Sequence, residues 1–165
     1  MAESGGPAVF YGDSSHTVDD KGRVFVPKRF QDALTLTKDA ARVAYLSRGQ
    51  DACLFLFSES GFQRAIAELD TRVFNGGDLR AAKRVFFANT VKIELDASGR
   101  ILIPEKLRAA ARITRDVVMV GVGDRAEVWQ REAWEAYEAA HLPKLDHIDR
   151  AISGDKPSQS ERGQG

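Results

Sequence analysis

Two short stretches decide the fold of this chain: residues 19–27, DDKGRVFVP, and residues 96–104, DASGRILIP. Aligned at an offset of 77 residues, they share an aspartate, a glycine, an arginine and a proline at the same spacing. The shared positions are Asp19, Gly22, Arg23 and Pro27 in the first stretch and Asp96, Gly99, Arg100 and Pro104 in the second. Four identities within matching apolar surroundings indicate an internal duplication rather than two unrelated turns.

Each stretch predicts a strand, a tight turn and a second strand. The glycine supplies the positive φ of the turn, and the aspartate side chain can accept backbone N–H groups there. The proline ends the second strand and suits the start of a short helix. Two further strands are predicted in each copy, over 43–47 and 53–57 in the first and over 117–120 and 127–129 in the second.

A copy of about fifty residues buries too little apolar surface to be stable alone. We therefore expect an α+β protein in which the two copies pack into one pseudo-two-fold barrel with short flanking helices. The sequence predicts five segments in chain order: an N-terminal extension over 1–9, a first repeat over 10–62, connecting helices over 63–90, a second repeat over 91–140 and a disordered polar tail over 143–165.

Composition excludes several classes of protein. The 165 residues carry 24 Lys or Arg and 24 Asp or Glu, so a uniformly basic nucleic-acid coat is excluded while a local basic loop is not. One cysteine and three histidines argue against a disulfide, a metal site or a cofactor held by such ligands. The N-terminus lacks a signal-peptide pattern and no apolar stretch is long enough to span a membrane, so we expect a cytoplasmic protein without membrane contact.

An enzymatic function is not expected from these residues. Cys53 lies in the alternating strand CLFLF and fits a buried small apolar residue better than a nucleophile. His16 has no partner nearby in the sequence, and Asp19 and Asp20 beside basic residues fit ionised, solvated turn carboxylates. We therefore expect no small-molecule substrate.

The motifs resemble the MraZ family of bacterial regulators. DDKGRVFVP and DASGRILIP match its paired DxxGRxxxP motifs, and FYGDSSHTVDDKGR, RGQDACLFLF, RAAKRVFFANTVKIELDASGRILIP and VGVGDRAEVWQREAWEAY are similar to it in order and spacing. The resemblance implies two tandem swapped-hairpin units of the AbrB type. It also implies a nucleoid-associated transcriptional regulator that represses the division and cell-wall gene cluster containing its own gene, and that forms homo-oligomeric rings. The family's DNA-binding DxxxR element falls here on Asp19, Arg23, Asp96 and Arg100.

The chemistry of promoter recognition favours arginine, whose planar fork binds guanine O6 and N7 bidentately, with lysine as a phosphate anchor. We predict that the DNA-binding residues are Lys21, Arg23, Lys28, Arg29 and Arg100. The first copy is the more basic, so we expect it to be the main reader of double-stranded promoter DNA. The alternative for each arginine is an ion pair with the motif aspartate that only fixes the turn.

A ring of head-to-tail subunits would favour direct repeats in DNA, whereas a two-fold dimer would favour palindromes. The helix predicted over 78–87 has no counterpart in the second copy. Its Leu79, Val85, Phe86 and Phe87 either form ring contacts or pack in the core. The alternative function is a protein-interaction or scaffold ring on the same barrel, whose binding would depend less on salt.

Overall fold

The structure is a computed structural model that describes residues 8–69 and 73–154. The chain divides into two compact units, of which the first ends at Arg131 and the second begins at Glu132. Its elements in chain order are β1 Asp13–Thr17, β2 Arg23–Phe25, α1 Lys28–Ala33, β3 Thr35–Leu36, β4 Arg42–Arg48, β5 Leu54–Phe57, α2 Glu59–Glu68, α3 Gly77–Ala88, β6 Thr90–Glu94, β7 Arg100–Leu102, α4 Glu105–Ala110, β8 Asp116–Gly121, β9 Ala126–Gln130, α5 Arg131–His141, a 3₁₀ helix Leu142–His147 and α6 Ile148–Ser153.

The first unit is built on antiparallel strands with short helices between them, which is an α+β fold. Seven strands form one sheet in the order β1-β8-β9-β5-β4-β3, with β6 also paired to β4, and β2 pairs with β7 in a separate ribbon. Among the described residues no pairing joins the two ends of this sheet, so the strands do not close into the barrel expected from the sequence. Among the strands in the described part of the chain, only the two-residue β3 was not predicted from the sequence.

The two copies of the repeat exchange strands. β1 of the first copy pairs with β8 of the second, with Asp13 opposite Val120. In return, β6 of the second copy pairs with β4 of the first, with Val43 opposite Glu94. The copies therefore share one sheet, which covers strand edges that a single copy would leave unpaired.

The core is contributed equally by both copies. Val24 and Ile101, on the inner face of the β2–β7 ribbon, are almost fully buried. Phe30 of α1 and Leu107 of α4 occupy matching positions in the core. Burying each such side chain stabilises the fold by roughly 1.5–3 kcal/mol, so the short helices are held by packing rather than by their own six residues.

Helices α2 and α3 cover the outer face of β4 and β5 through aromatic contacts. Phe62 stacks on Tyr45 with ring centroids 4.1 Å apart. Phe86 and Phe87 of α3 contact the ring of Phe62 at 6.1 and 6.4 Å. The two phenylalanines of α3 therefore join this packing, while Val85 remains 55% exposed.

Residues 142–153 of the second unit are helical, where the sequence predicts a disordered tail over 143–165. Residues 142–147 form a 3₁₀ helix and residues 148–153 form α6, whereas residues 155–165 lie outside the described part. Four apolar residues recur there at three- and four-residue spacing, which is helical, and all four side chains are exposed: Leu142, Leu145, Ile148 and Ile152.

Candidate nucleic-acid interface

The first motif forms a turn held by the side chain of its aspartate. Asp19 Oδ1 accepts the backbone N–H groups of Lys21 at 3.0 Å and Arg23 at 2.9 Å. The N–H of Gly22 donates to the carbonyl of Asp19 at 2.9 Å, and Gly22 has φ +84°. A positive φ is inexpensive only for glycine, so Gly22 and Asp19 together explain why the motif keeps this spacing.

The second motif builds the same turn. Asp96 Oδ1 accepts the backbone N–H groups of Ser98 at 2.9 Å and Arg100 at 3.0 Å, and Gly99 has φ +78°. The two turns differ in their tips, since the first carries the exposed Lys21 where the second carries Ser98. The sequence repeat is therefore a repeat of local structure.

The motif aspartate binds each arginine through only one edge of the guanidinium group, the Nε edge. Arg23 Nε donates to Asp19 Oδ2 at 2.8 Å, and Arg100 Nε donates to Asp96 Oδ2 at 2.9 Å. Within the described chain neither arginine uses an Nη group in a hydrogen bond, and both side chains are about one-third exposed. The carboxylates thus orient the guanidinium groups and leave the Nη donors for a ligand.

The motif aspartates are ionised over a wide pH range. The backbone N–H of Arg23 is the largest influence that holds the pKa of Asp19 below its ordinary value, with the Arg23 side chain adding to it. The N–H and guanidinium of Arg100 lower the pKa of Asp96 in the same way. Both ion pairs therefore persist at neutral pH.

The β2–β7 ribbon brings the two turns together. Ile103 N–H donates to the carbonyl of Gly22, and Val26 N–H donates to the carbonyl of Gly99, both at 2.9 Å. Arg100 Nη1 also lies 3.9 Å from Asp19 Oδ2. The two arginines, 77 residues apart in the sequence, therefore belong to one charged cluster.

The other predicted DNA-binding cations have different surroundings. Lys28 is exposed and pairs with Asp32 at 2.7 Å. Arg29 Nε donates to the carbonyl of Tyr11 at 3.0 Å, and its Nη2 donates to that of Asp13 at 2.8 Å. Arg29 thus ties the start of β1 to α1, and its role in DNA binding stays a prediction.

The two motif prolines act where the sequence placed them. Pro27 and Pro104 are the N-caps of α1 and α4, with φ of −53° and −56°. They separate the ribbon strands from the helices, as expected for a residue with a fixed φ. They support the arginine cluster and offer no donor to a ligand.

Two residues that support the turns were not predicted as site residues. Gln31 Nε2 donates to the carbonyl of Val26 at 2.7 Å, and the Gln31 side chain packs against Gly99. Arg108 packs against Gly22 in the other copy. The signal was present in the sequence, because the repeat offset of 77 aligns Gln31 with Arg108.

The thiol of Cys53 is poorly placed to act as a nucleophile. Cys53 is buried, and burial is the main cause that raises the pKa of its thiol far above the ordinary value. Within residues 8–69 and 73–154, no three His, Cys, Asp or Glu side chains gather as metal ligands would. None of the helices described is both long and apolar enough to cross a membrane.

Comparison with known proteins finds a matching family and several similar proteins. The model of a family described as "MraZ protein, putative antitoxin-like" matches residues 9–85 and again residues 86–153. A protein named transcriptional regulator MraZ from Acetivibrio thermocellus is 40% identical over 129 residues, covering 78% of this chain and 86% of the relative. Proteins of the same name from Heliobacterium modesticaldum and Thermoanaerobacter pseudethanolicus are 36% and 40% identical, covering 85% and 84% of this chain and 94% and 99% of theirs.

Proposed function

The chain belongs to the MraZ family, and from this premise we propose that it is a sequence-specific, DNA-binding transcriptional regulator. Its relatives carry the name of transcriptional regulators and not of enzymes. The observation that carries the proposal is the pair of aspartate-held arginines, Arg23 and Arg100, on one antiparallel ribbon. A two-stranded ribbon fits the major groove of B-DNA.

The electrostatics of this cluster suit recognition of bases more than general attraction to phosphate. The chain has no net charge, so binding depends on where its cations lie. Arg23 and Arg100 would offer their Nη donors to guanine, while the exposed Lys21 and Lys28, the latter now paired with Asp32, would contact phosphates. Each turn also holds an acidic partner, which disfavours the guanidinium as a simple phosphate anchor.

The finer proposal follows the family expectation. The protein would act in the cytoplasm at the nucleoid, repressing the promoter of the division and cell-wall cluster that includes its own gene. Its two copies would form a pair of swapped-hairpin units, supported here by the exchange of β1 and β6 between them. Rings of subunits would place the first-copy turns on direct repeats, with the exposed Val85 and Phe87 of α3 available for subunit contacts.

Fluorescence anisotropy tests this proposal directly. The probe is the DNA upstream of the protein's own gene, with a scrambled duplex of equal length and composition. We expect Arg23→Ala to lose most of the preference for the native sequence. Arg23→Lys should lose part of it, because an ammonium group lacks the planar fork that binds Asp19 through Nε and a guanine through the Nη groups. Lys144→Ala is the matched control, since Lys144 is an exposed cation outside the ribbon.

Salt dependence separates DNA binding from the alternative function. Affinity for DNA should fall with a logarithmic slope of about −0.9 for each phosphate neutralised. Equal affinity of the folded wild-type protein for native and scrambled DNA would contradict the proposal. A flat salt response together with binding to a protein would favour the interaction or scaffold role.

One observation favours that second candidate. A cleft of about 750 Å³ opens between α2, α3 and β5. Its apolar lining includes Phe55, Phe57 and Phe86, and its basic residues include Arg48 and Arg64. A concave apolar surface with cations suits a protein segment with acidic and apolar side chains. This surface is separate from the arginine cluster, so both functions can coexist.

A further inference from the structure

Two exposed apolar side chains lie on the arginine-bearing face of the ribbon. Phe25 is 42% exposed and Leu102 is 54% exposed. Side chains alternate between the two faces of a strand, and the buried Val24 and Ile101 take the inner face. Phe25 therefore shares the outer face with Arg23, as Leu102 does with Arg100.

The pairing of the ribbon places these groups diagonally. Arg23 lies opposite Leu102, and Phe25 lies opposite Arg100. Each arginine thus has an apolar neighbour both across the ribbon and two residues along its own strand. An isolated exposed apolar residue needs no explanation, but two at equivalent positions of a repeat, each beside a ligand-ready guanidinium, form a surface of defined chemistry.

The spacing along each strand matches the spacing of base pairs. Residues two apart on a strand are separated by about 6.6–6.8 Å, which equals about two steps of 3.4 Å along a DNA strand. When Arg23 reaches a guanine, Phe25 is therefore placed about two base pairs away. In the major groove, the apolar group that distinguishes one base from the others is the C5-methyl of thymine.

Phe25 is also held in position before any ligand arrives. Its ring packs against the His16 imidazole, with centroids 5.7 Å apart and planes inclined by 54°. His16 Nε2 in turn lies 2.6 Å from the Ser14 hydroxyl oxygen. An aromatic side chain that is already oriented loses less conformational entropy on binding, which suits it to a specific contact.

We propose that Phe25 and, in the second copy, Leu102 are specificity-determining residues that read thymine methyl groups beside the guanines contacted by Arg23 and Arg100. The inference rests on the proposed DNA-binding function and adds to it a second kind of base to be recognised.

Replacement of thymine by deoxyuridine tests the contact, because it removes only the methyl group. A panel of duplexes from the DNA upstream of the protein's own gene carries one such replacement at each thymine in turn. We expect the wild-type protein to lose affinity by about fourfold at one or two of these positions. Phe25→Ser should bind the thymine and deoxyuridine duplexes equally at the position that Phe25 reads.

Val122→Ser is the matched control. Val122 is also an apolar residue, 44% exposed, but it lies outside the β2–β7 ribbon, directly after the end of β8 that pairs with the start of β1. It should keep the wild-type deoxyuridine penalty. If Phe25→Ser does not fold, as judged by circular dichroism, Leu102→Ser makes the same test in the other copy.

The outcomes separate the two proposals. Specific binding that is insensitive to every deoxyuridine overturns the inference and leaves the proposed function intact. The inference is overturned in the same way if the penalty persists unchanged in both serine variants. Failure of the folded wild-type protein to distinguish native from scrambled DNA overturns both.

Discussion

Replacing Gly22 by alanine tests whether the turn that carries Arg23 is built as the geometry indicates. Gly22 has φ +84°, and a β-carbon there would lie 3.1 Å from the carbonyl oxygen of Ile103. That residue's N–H already donates to the carbonyl of Gly22. The backbone that would have to move is therefore tied to the residue being changed.

The expected cost has two parts. An alanine held at positive φ costs about 1 kcal/mol relative to glycine. Relief of the crowding weakens the Ile103 to Gly22 hydrogen bond, which costs about another 1 kcal/mol. The free energy of unfolding should fall by about 2 kcal/mol in total, which lowers the melting temperature by about 4–8 °C for a domain of this size.

Two other glycines separate these parts. Gly123 has φ +87° with open space around its β-carbon position, so Gly123→Ala should cost only the conformational part, about 1 kcal/mol. Gly77 begins α3 and has ordinary contacts, so Gly77→Ala should be neutral or slightly stabilising. The three substitutions therefore form a graded series in one chain.

Urea unfolding followed by circular dichroism measures this series, with anisotropy on promoter DNA as the functional readout. We expect Gly22→Ala to be the least stable of the three and to bind DNA most weakly, because Asp19 and Arg23 share its turn. The reasoning would be refuted if Gly22→Ala matched Gly77→Ala in stability, or if Gly123→Ala cost more than Gly22→Ala.

Three further predictions address groups outside this turn. The Cys53 thiol should react with a thiol reagent at pH 8 far more slowly in the native protein than in urea, because burial raises its pKa; equal rates would show that it is accessible. Burial also lowers the pKa of His16 below 6.5, so its contribution to stability should be complete above pH 6.5 and lost as the pH falls through that lower pKa; an NMR titration with a midpoint at or above 6.5 would contradict this. Glu127→Ala removes the acceptor of bonds from Arg125 Nη2 at 2.8 Å and Trp129 Nε1 at 2.9 Å and should cost about 2–3 kcal/mol in urea unfolding, whereas Glu127→Gln, which keeps an acceptor, should cost less.

Much of the candidate site could be predicted because its pattern is local. The spacing of Asp19, Gly22 and Arg23 encodes a turn whose hydrogen bonds close within four residues, so sequence and geometry correspond directly. Arg29 shows the limit of this approach. Its hydrogen-bond partners lie 16 and 18 residues earlier in the chain, where no local pattern indicates them, while its DNA contact stays a prediction.

The fold was predictable where it follows from local patterns, which means the positions of its individual strands. Alternating apolar residues and turn signals located nearly all strands, because side-chain period and turn chemistry are properties of neighbouring residues. The helix over 148–153 was not foreseen, because its apolar residues are few and polar residues dominate the average composition of the segment.

By itself, the sequence determined that the protein is a duplicated α+β chain with the same turn of aspartate, glycine and arginine in each copy. Those features depend on contacts between residues that are close along the chain. Only the tertiary structure decided that β1 and β6 are exchanged between copies, that the strands form an open sheet, and that Arg23 and Arg100 meet on one ribbon. These pairings depend on how the whole chain covers its strand edges and buries its apolar faces. They therefore involve residues far apart in the sequence, which local patterns do not reveal.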